Sequence, residues 1–216
     1  MQYPIFQSVI NKINASLAER NINVRKFKSW EESKINASGL EIVIDLTDAT
    51  RHLDSLSINF DWDRFREAAL ARQLEGTDKH PVLKSERFNE SNVAPAIDIE
   101  LAWNFKVDRC QPESTNGDTN YRIQVASDWM TNASRDVNML LSADEIITRW
   151  HLEIDGDHKG KYLTAISLIS YFQFSMADLN SLGDVHDYVN RKLVYLLYRA
   201  KRIIEIVDDS VNVQAA

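Results

Sequence analysis

The chain is 216 residues long, and its 44% hydrophobic and 26% charged residues are typical of a folded protein rather than a disordered one. Its net charge of −7 argues against non-specific nucleic-acid binding, because an acidic molecule repels phosphate unless its cations are segregated on one face. Its single cysteine, Cys110, excludes an intrachain disulfide framework and a thiolate-rich zinc site, which favours a cytoplasmic location.

The first part of the chain predicts two helices and two strands. Apolar residues recur at helical spacing near the N-terminus, and they alternate with polar residues in two later segments. A second helix is predicted because Asp61 or Asp63 can cap a run of helix-forming residues that stops at Gly76. The predicted elements are an amphipathic helix over 4–20, strands over 40–46 and 56–62, and a helix over 64–75.

The second part of the chain begins with a predicted long loop. The clearest strand signal follows this loop, and we expect that strand to pair with the next one as an antiparallel hairpin. Ser142 and Glu145 form a capping-box pattern that predicts a short helix running through Trp150. The predicted elements are a loop over 76–95, strands over 97–107 and 121–129, a strand rather than a buried helix over 162–174, and a helix from Gly183 to about Asp208.

These elements predict an α+β fold, in which a mainly antiparallel sheet packs with an N-terminal amphipathic helix and a long C-terminal helix. We expect one domain over residues 1–216, with a subdivision near 76–95 or 130–141 as the alternative. On the strand predicted over 97–107, we expect Leu101 and Trp103 on the buried face and Lys106 on the solvent-exposed face.

The long C-terminal helix carries arginine, lysine and tyrosine residues on the side opposite its aliphatic stripe. Arginine and tyrosine are enriched in protein interfaces, because both combine apolar area with directional polar groups. Alternatively, this face is a solvated charged surface whose tyrosines pack on neighbouring elements, or a surface for nucleic acid. The predicted partner-binding residues are Tyr188, Arg191, Lys192, Tyr195, Tyr198, Arg199 and Arg202.

A competing hypothesis is a metal-dependent phosphodiesterase or nuclease. Asp98 and Glu100 lie on the wet face of the long strand, and Asp157 and Lys159 form an Asp-x-Lys tail of the kind that holds metal and phosphate. These residues form an active site only if they converge in a cleft. A calcium loop at Asp155 is not supported, because Lys159 stands where an oxygen ligand is required.

Pro95-Ala96-Ile97-Asp98-Ile99-Glu100-Leu101 follows a predicted helix and strand. This segment of under a dozen residues resembles the central strand of phage tail-terminator and neck proteins, which join rings of subunits. The resemblance implies a ring or terminator subunit of a tail-like assembly, and it carries no catalytic residues.

We therefore expect a non-enzymatic assembly subunit that binds other protein subunits, either copies of itself or different proteins. No motif for a nucleotide, metal or covalent intermediate is present, so we expect no cofactor and no small-molecule substrate. The first residues do not form a secretory signal, and no apolar run reaches the ~20 residues of a membrane span. We expect neither export nor membrane insertion.

Overall fold

The computed structural model describes residues 4–32, 37–50, 53–75, 94–106, 147–154 and 163–212. The described elements are α1 (Pro4–Glu19), β1 (Val24–Glu32), β2 (Ala37–Asp45), β3 (Leu53–Asp63), α2 (Arg64–Glu75), β4 (Ala96–Phe105), β5 (Ile147–Ile154), β6 (Leu163–Ser175) and α3 (Leu182–Asn212). This order confirms the predicted α+β fold, with its N-terminal helix and long C-terminal helix.

The six strands described form one sheet in the order β1-β2-β3-β4-β6-β5. β5 and β6 are antiparallel, with Ile147 opposite Tyr171 and His151 opposite Ser167. β4 and β6 also run in opposite directions, because Asp98 bonds Gln173 whereas Asn104, further along β4, bonds the earlier residue Ser167. The sheet is thus mainly antiparallel, as predicted.

Two compact units are distinguished within the chain. The first is formed by Met1–Ile42, Ile58–Ile99 and Phe172–Leu197, and the second by Val43–Ser57, Glu100–Tyr171 and Tyr198–Ala216. Each boundary lies inside a helix or strand. The segments 76–95 and 130–141, where we placed an alternative subdivision, lie almost entirely outside the described residues. The single domain stays a prediction.

In the first unit, α1 packs its apolar side on β3. The ring centroids of Phe6 and Trp62 are 5.8 Å apart with their planes inclined by 51°. Burying a side chain of this size stabilises the fold by about 1.5–3 kcal/mol. The predicted amphipathic helix is confirmed by the buried residues of α1, which are Phe6, Val9, Ile10, Ile13 and Leu17.

The start of α2 is capped by Asp63. Its Oδ1 accepts hydrogen bonds from the backbone N–H groups of Phe65 at 2.7 Å and Arg66 at 3.0 Å. These two amides lie in the first turn, where a helix has no internal acceptor for them. Of the two predicted caps, the structure therefore selects Asp63 rather than Asp61.

One turn into α2, the carboxyl of Glu67 is fully buried against the start of α1. Its Oε1 accepts the backbone N–H of Phe6 at 2.8 Å, and its Oε2 has no hydrogen-bond partner among the described residues. Burial raises the pKa of Glu67 to about 7, although hydrogen bonds from the amides of Phe6 and Ile5 act in the opposite direction. A buried acid thus joins the two helices.

In the second unit, the later part of β4 supplies both core and polar contacts. Leu101 and Trp103 are fully buried, as the alternation predicts. On the other face of the strand, Asn104 Nδ2 donates to the hydroxyls of Ser55 and Ser57 at 3.2 and 3.1 Å. Its Oδ1 accepts a hydrogen bond from the Ser167 hydroxyl at 2.8 Å. One amide therefore links β3, β4 and β6 through side chains.

Lys106 follows β4 and reaches the connection between β2 and β3. Its Nζ donates to the carbonyl oxygens of Thr47 at 2.6 Å and Thr50 at 2.8 Å. The Thr50 hydroxyl in turn accepts a hydrogen bond from the backbone N–H of Leu53 at 3.0 Å. Lys106 therefore holds a turn in place rather than extending into solvent.

The segment from Ile147 to Trp150 corrects one prediction. We expected a short helix through Trp150, but these residues belong to strand β5. Apolar Trp150, Leu152 and Ile154 alternate with polar residues, and pairing with β6 satisfies the backbone groups on the side of this segment that faces β6. The capping-box residues Ser142 and Glu145 lie outside the described residues.

Other predictions have mixed outcomes. The strand predicted over 162–174 is confirmed by β6, and the long helix by α3. The strand predicted over 121–129 lies outside the described residues, and the described neighbours of β4 are β3 and β6. No helix in the described part of the chain is long and apolar enough to cross a bilayer.

Candidate functional site

The predicted partner-binding residues all lie on α3. The Ser181 hydroxyl accepts a hydrogen bond from the backbone N–H of Asp184 at 3.1 Å, which caps the first turn of this helix. One side of the helix is buried, and the opposite side carries the predicted surface. The buried side is formed by Val185, Val189, Leu193, Leu196, Ala200 and Ile203.

Two predicted residues, Tyr188 and Lys192, contact β6. The rings of Phe174 and Tyr188 meet edge to face with centroids 6.3 Å apart. Lys192 Nζ lies 5.0 Å from the centroid of the Phe174 ring and 5.4 Å from that of Tyr188. Burial raises the pKa of Tyr188, and the charge of Arg191 lowers it to a smaller extent. These two side chains are committed to contacts inside the first unit.

The other five predicted residues differ in exposure. Tyr195 and Arg199 are half-buried, and both already make side-chain interactions. Arg191, Tyr198 and Arg202 are exposed. Arg202 Nη1 lies 2.6 Å from Glu205 Oε2, which is a surface ion pair within one helical turn. The predicted face is therefore a mixture of packed, half-buried and exposed side chains.

Exposed apolar side chains are concentrated on the same helix. Tyr198 is 63% exposed, Val194 40% and Leu182 40%, and these are all of the exposed large hydrophobic residues in the described part of the chain. Val194 and Tyr198 are four residues apart and are therefore neighbours on one helical face. Sequence reasoning missed Val194, which lies off the aliphatic stripe that we used to orient the helix.

Val194 and Tyr198 belong to a line of six exposed residues that extends from them in both directions along α3. They follow each other at alternating spacings of four and three residues, which keeps side chains on one narrow line of a helix. Because α3 is one continuous helix, this alignment is a property of the helix itself. We call these residues the outer strip; they are Asp187, Arg191, Val194, Tyr198, Lys201 and Glu205.

A cavity of about 450 Å³ opens beside the start of α3. The residues that line it include Asp178, Asp184, Asp187 and Arg191. Asp184 Oδ2 accepts the backbone N–H of Asn180 at 3.3 Å, so this carboxylate also has a role in the turn before the helix. The outer strip thus begins at the edge of an acidic concavity in the first unit.

The residues of the nuclease hypothesis are only partly described. Asp98 Oδ2 lies 2.5 Å from Arg66 Nη1, and Asp98 Oδ1 accepts a hydrogen bond from Gln173 at 2.8 Å. Glu100 is half-buried and has a partner of its own. Asp157 and Lys159 lie outside the described residues. Within the described ranges, no three His, Cys, Asp or Glu side chains are grouped to hold a metal ion.

Comparison with known proteins identifies no relative of this chain. No protein-family model, no curated protein and no solved structure matches it. The similarity of residues 95–101 to phage tail-terminator and neck proteins, and the ring subunit that it implies, stay predictions.

Proposed function

We propose that this chain is a non-enzymatic subunit that docks another protein in the cytoplasm through the outer strip of α3. The exposure of Tyr198 beside Val194 carries this proposal. Water covers two large apolar side chains that share one helical face, and a docked protein would remove that area from water.

Charged residues surround the apolar pair. Arg191 precedes Val194 by three residues, and Arg202 follows Tyr198 by four, so each lies within one turn of the pair. Tyrosine and arginine dominate the energetics of many interfaces, because each combines apolar area with directional hydrogen bonding. The exposed side of a helix is convex, which suits a protein surface better than a small molecule, because a small molecule usually requires a concave site.

Site-specific photo-crosslinking in the source cells tests the proposal. A photoreactive amino acid replaces Tyr198 in one version of the chain and the exposed residue Ala18 of α1 in the control version. We expect a discrete heavier adduct from position 198 and none from position 18. Identical adducts from both positions, or none from position 198, would contradict docking through this face.

The crosslinked partner then permits a quantitative measurement. Tyr198→Ala should weaken its binding by about tenfold or more, because a tyrosine at the centre of an interface contributes most when a partner excludes water from it. The free energy of unfolding of the isolated chain should change by less than about 0.5 kcal/mol, because this side chain is mostly exposed. An equal loss in both measurements would show that Tyr198 is structural.

A further inference from the structure

The charges of the outer strip are arranged symmetrically about its apolar centre. Val194 and Tyr198 form the centre, with the cations Arg191 and Lys201 next to it on either side. The acids Asp187 and Glu205 occupy the two outer positions. Arg202 adds a second exposed cation on the Lys201 side, where it pairs with Glu205. Among the six residues of the outer strip alone, the order of charges therefore reads the same in both directions.

This symmetry has a direct effect on self-association. If two copies pair antiparallel with their apolar centres aligned, Arg191 of one faces Lys201 of the other, and Asp187 faces Glu205. If they pair parallel, every charge faces its own equivalent. Both arrangements bring together the cations next to the apolar centre, which opposes association. Sliding the helices to avoid the repulsion would separate the apolar residues that bring them together.

The geometry points to a different protein as the occupant, and this inference rests on the proposed function. We propose that the partner presents an amphipathic helix whose apolar centre is flanked on both sides by carboxylates that face Arg191 and Lys201. The alternating spacing of four and three residues suits a helix, because it is the spacing of residues at the seam between two packed helices.

Electrostatics supports acidic flanks rather than neutral ones. A cation at the edge of a docked apolar pair loses part of its hydration, and an opposing carboxylate offsets that cost. Arg191 and Lys201 are both exposed beside the apolar pair, so a carboxylate of the partner would supply such a group to each. Because the chain as a whole carries a charge of −7, the attraction is confined to this strip and should weaken when salt is added.

Two stapled helical peptides of identical composition and net charge test the inference. One carries leucines at its centre, glutamates beside them and lysines at the outer positions, and in the other the glutamates and lysines are exchanged. The full-length chain should bind the first peptide about tenfold more tightly than the second by fluorescence anisotropy. Equal binding of both, or preference for the second, would overturn the acidic-flank inference and leave the docking surface in place.

Variants of the chain provide matched controls. Lys201→Glu should reduce affinity for the first peptide by about tenfold, whereas the same substitution at the exposed Lys28 of β1 should leave it unchanged. Binding of neither peptide would overturn the docking surface itself. Sedimentation tests the occupant: a wild-type dimer that Tyr198→Ala dissociates would identify a second copy and overturn the inference.

Discussion

At the scale of single residues, one close contact between β1 and β2 depends on the absence of a side chain. The indole of Trp30 on β1 lies against the backbone of Gly39 on β2, where a β-carbon would overlap the indole ring. An aromatic ring that covers a glycine on a neighbouring strand replaces the packing that the glycine cannot supply. The two residues therefore act as one packing unit.

Gly39→Ala should consequently destabilise the protein by about 1–3 kcal/mol, because the added methyl forces Trp30 out of its position. Urea denaturation of the variant and the wild type measures the change. In a Trp30→Ala background the same substitution should cost much less, since the overlapping ring is gone. If its cost were the same in both backgrounds, Trp30 would not be the cause.

At the scale of elements, Lys106 shows how a side chain on the wet face of a strand can be structural. Alternation correctly places Lys106 opposite the core residues Leu101 and Trp103. Alternation does not reveal that its ammonium binds the carbonyl oxygens of Thr47 and Thr50. Those two acceptors come from the connection between other strands, so their position depends on the tertiary structure.

Lys106→Met should therefore lower the free energy of unfolding by about 1–3 kcal/mol, because two carbonyl oxygens lose a charged donor while the aliphatic stem is kept. Thermal and urea unfolding measure the loss. Lys28→Met on β1 is the matched control and should change stability by less than about 0.5 kcal/mol, because Lys28 is exposed. Equal effects at the two positions would contradict the role of the carbonyl contacts.

Sequence patterns predicted the elements that have one buried face and missed a strand that has none. α1, β3, β4 and α3 show clear periodicity because each packs one side on the core. β1 lies at one edge of the described sheet and is rich in charged residues. Its side chains are exposed or half-buried. Without a fully buried face it has no alternation to detect. β5 was misread because a capping-box pattern precedes it.

The candidate surface was predictable only in part, for a related reason. Helical spacing correctly assigned Arg191 and Tyr198 to the side opposite the buried stripe. It could not show that Tyr188 and Lys192 pack around Phe174, because that contact requires the position of β6. Exposure is set by neighbouring elements, and the sequence of one helix contains no information about them.

At the scale of the whole molecule, Glu67 makes stability depend on pH. Its pKa is raised from 4.5 to about 7 in the folded protein, so the folded state binds this proton more tightly than the unfolded state. The resulting stabilisation is fully present below pH 4.5 and is lost as the pH rises through 7. Above that range, folding must bury a carboxylate that has one unpartnered oxygen within the described structure.

Glu67→Gln should remove this dependence, because the amide resembles the protonated acid and can still accept the Phe6 amide hydrogen through its oxygen. From about pH 5 to about pH 8, wild type should lose roughly 3 kcal/mol of stability relative to the variant. Urea unfolding across that range measures the difference. Parallel pH profiles for the two proteins would exclude Glu67 as the source.

The strand order also imposes a sequence of events on synthesis. β1, β2 and β3 are neighbours in both the chain and the sheet, so each can pair as soon as it leaves the ribosome. β6 lies between β4 and β5 although it follows both in the chain. Within the described sheet, β4 therefore keeps an open edge until β6 is made, and β5 waits for the same strand. Pairing between strands that are far apart in sequence, such as β4 and β6, is slow. An unpaired strand edge promotes aggregation or binding by a chaperone. Among the described strands, the growing chain is therefore most prone to aggregation after β4 has been made and before β6 has been made.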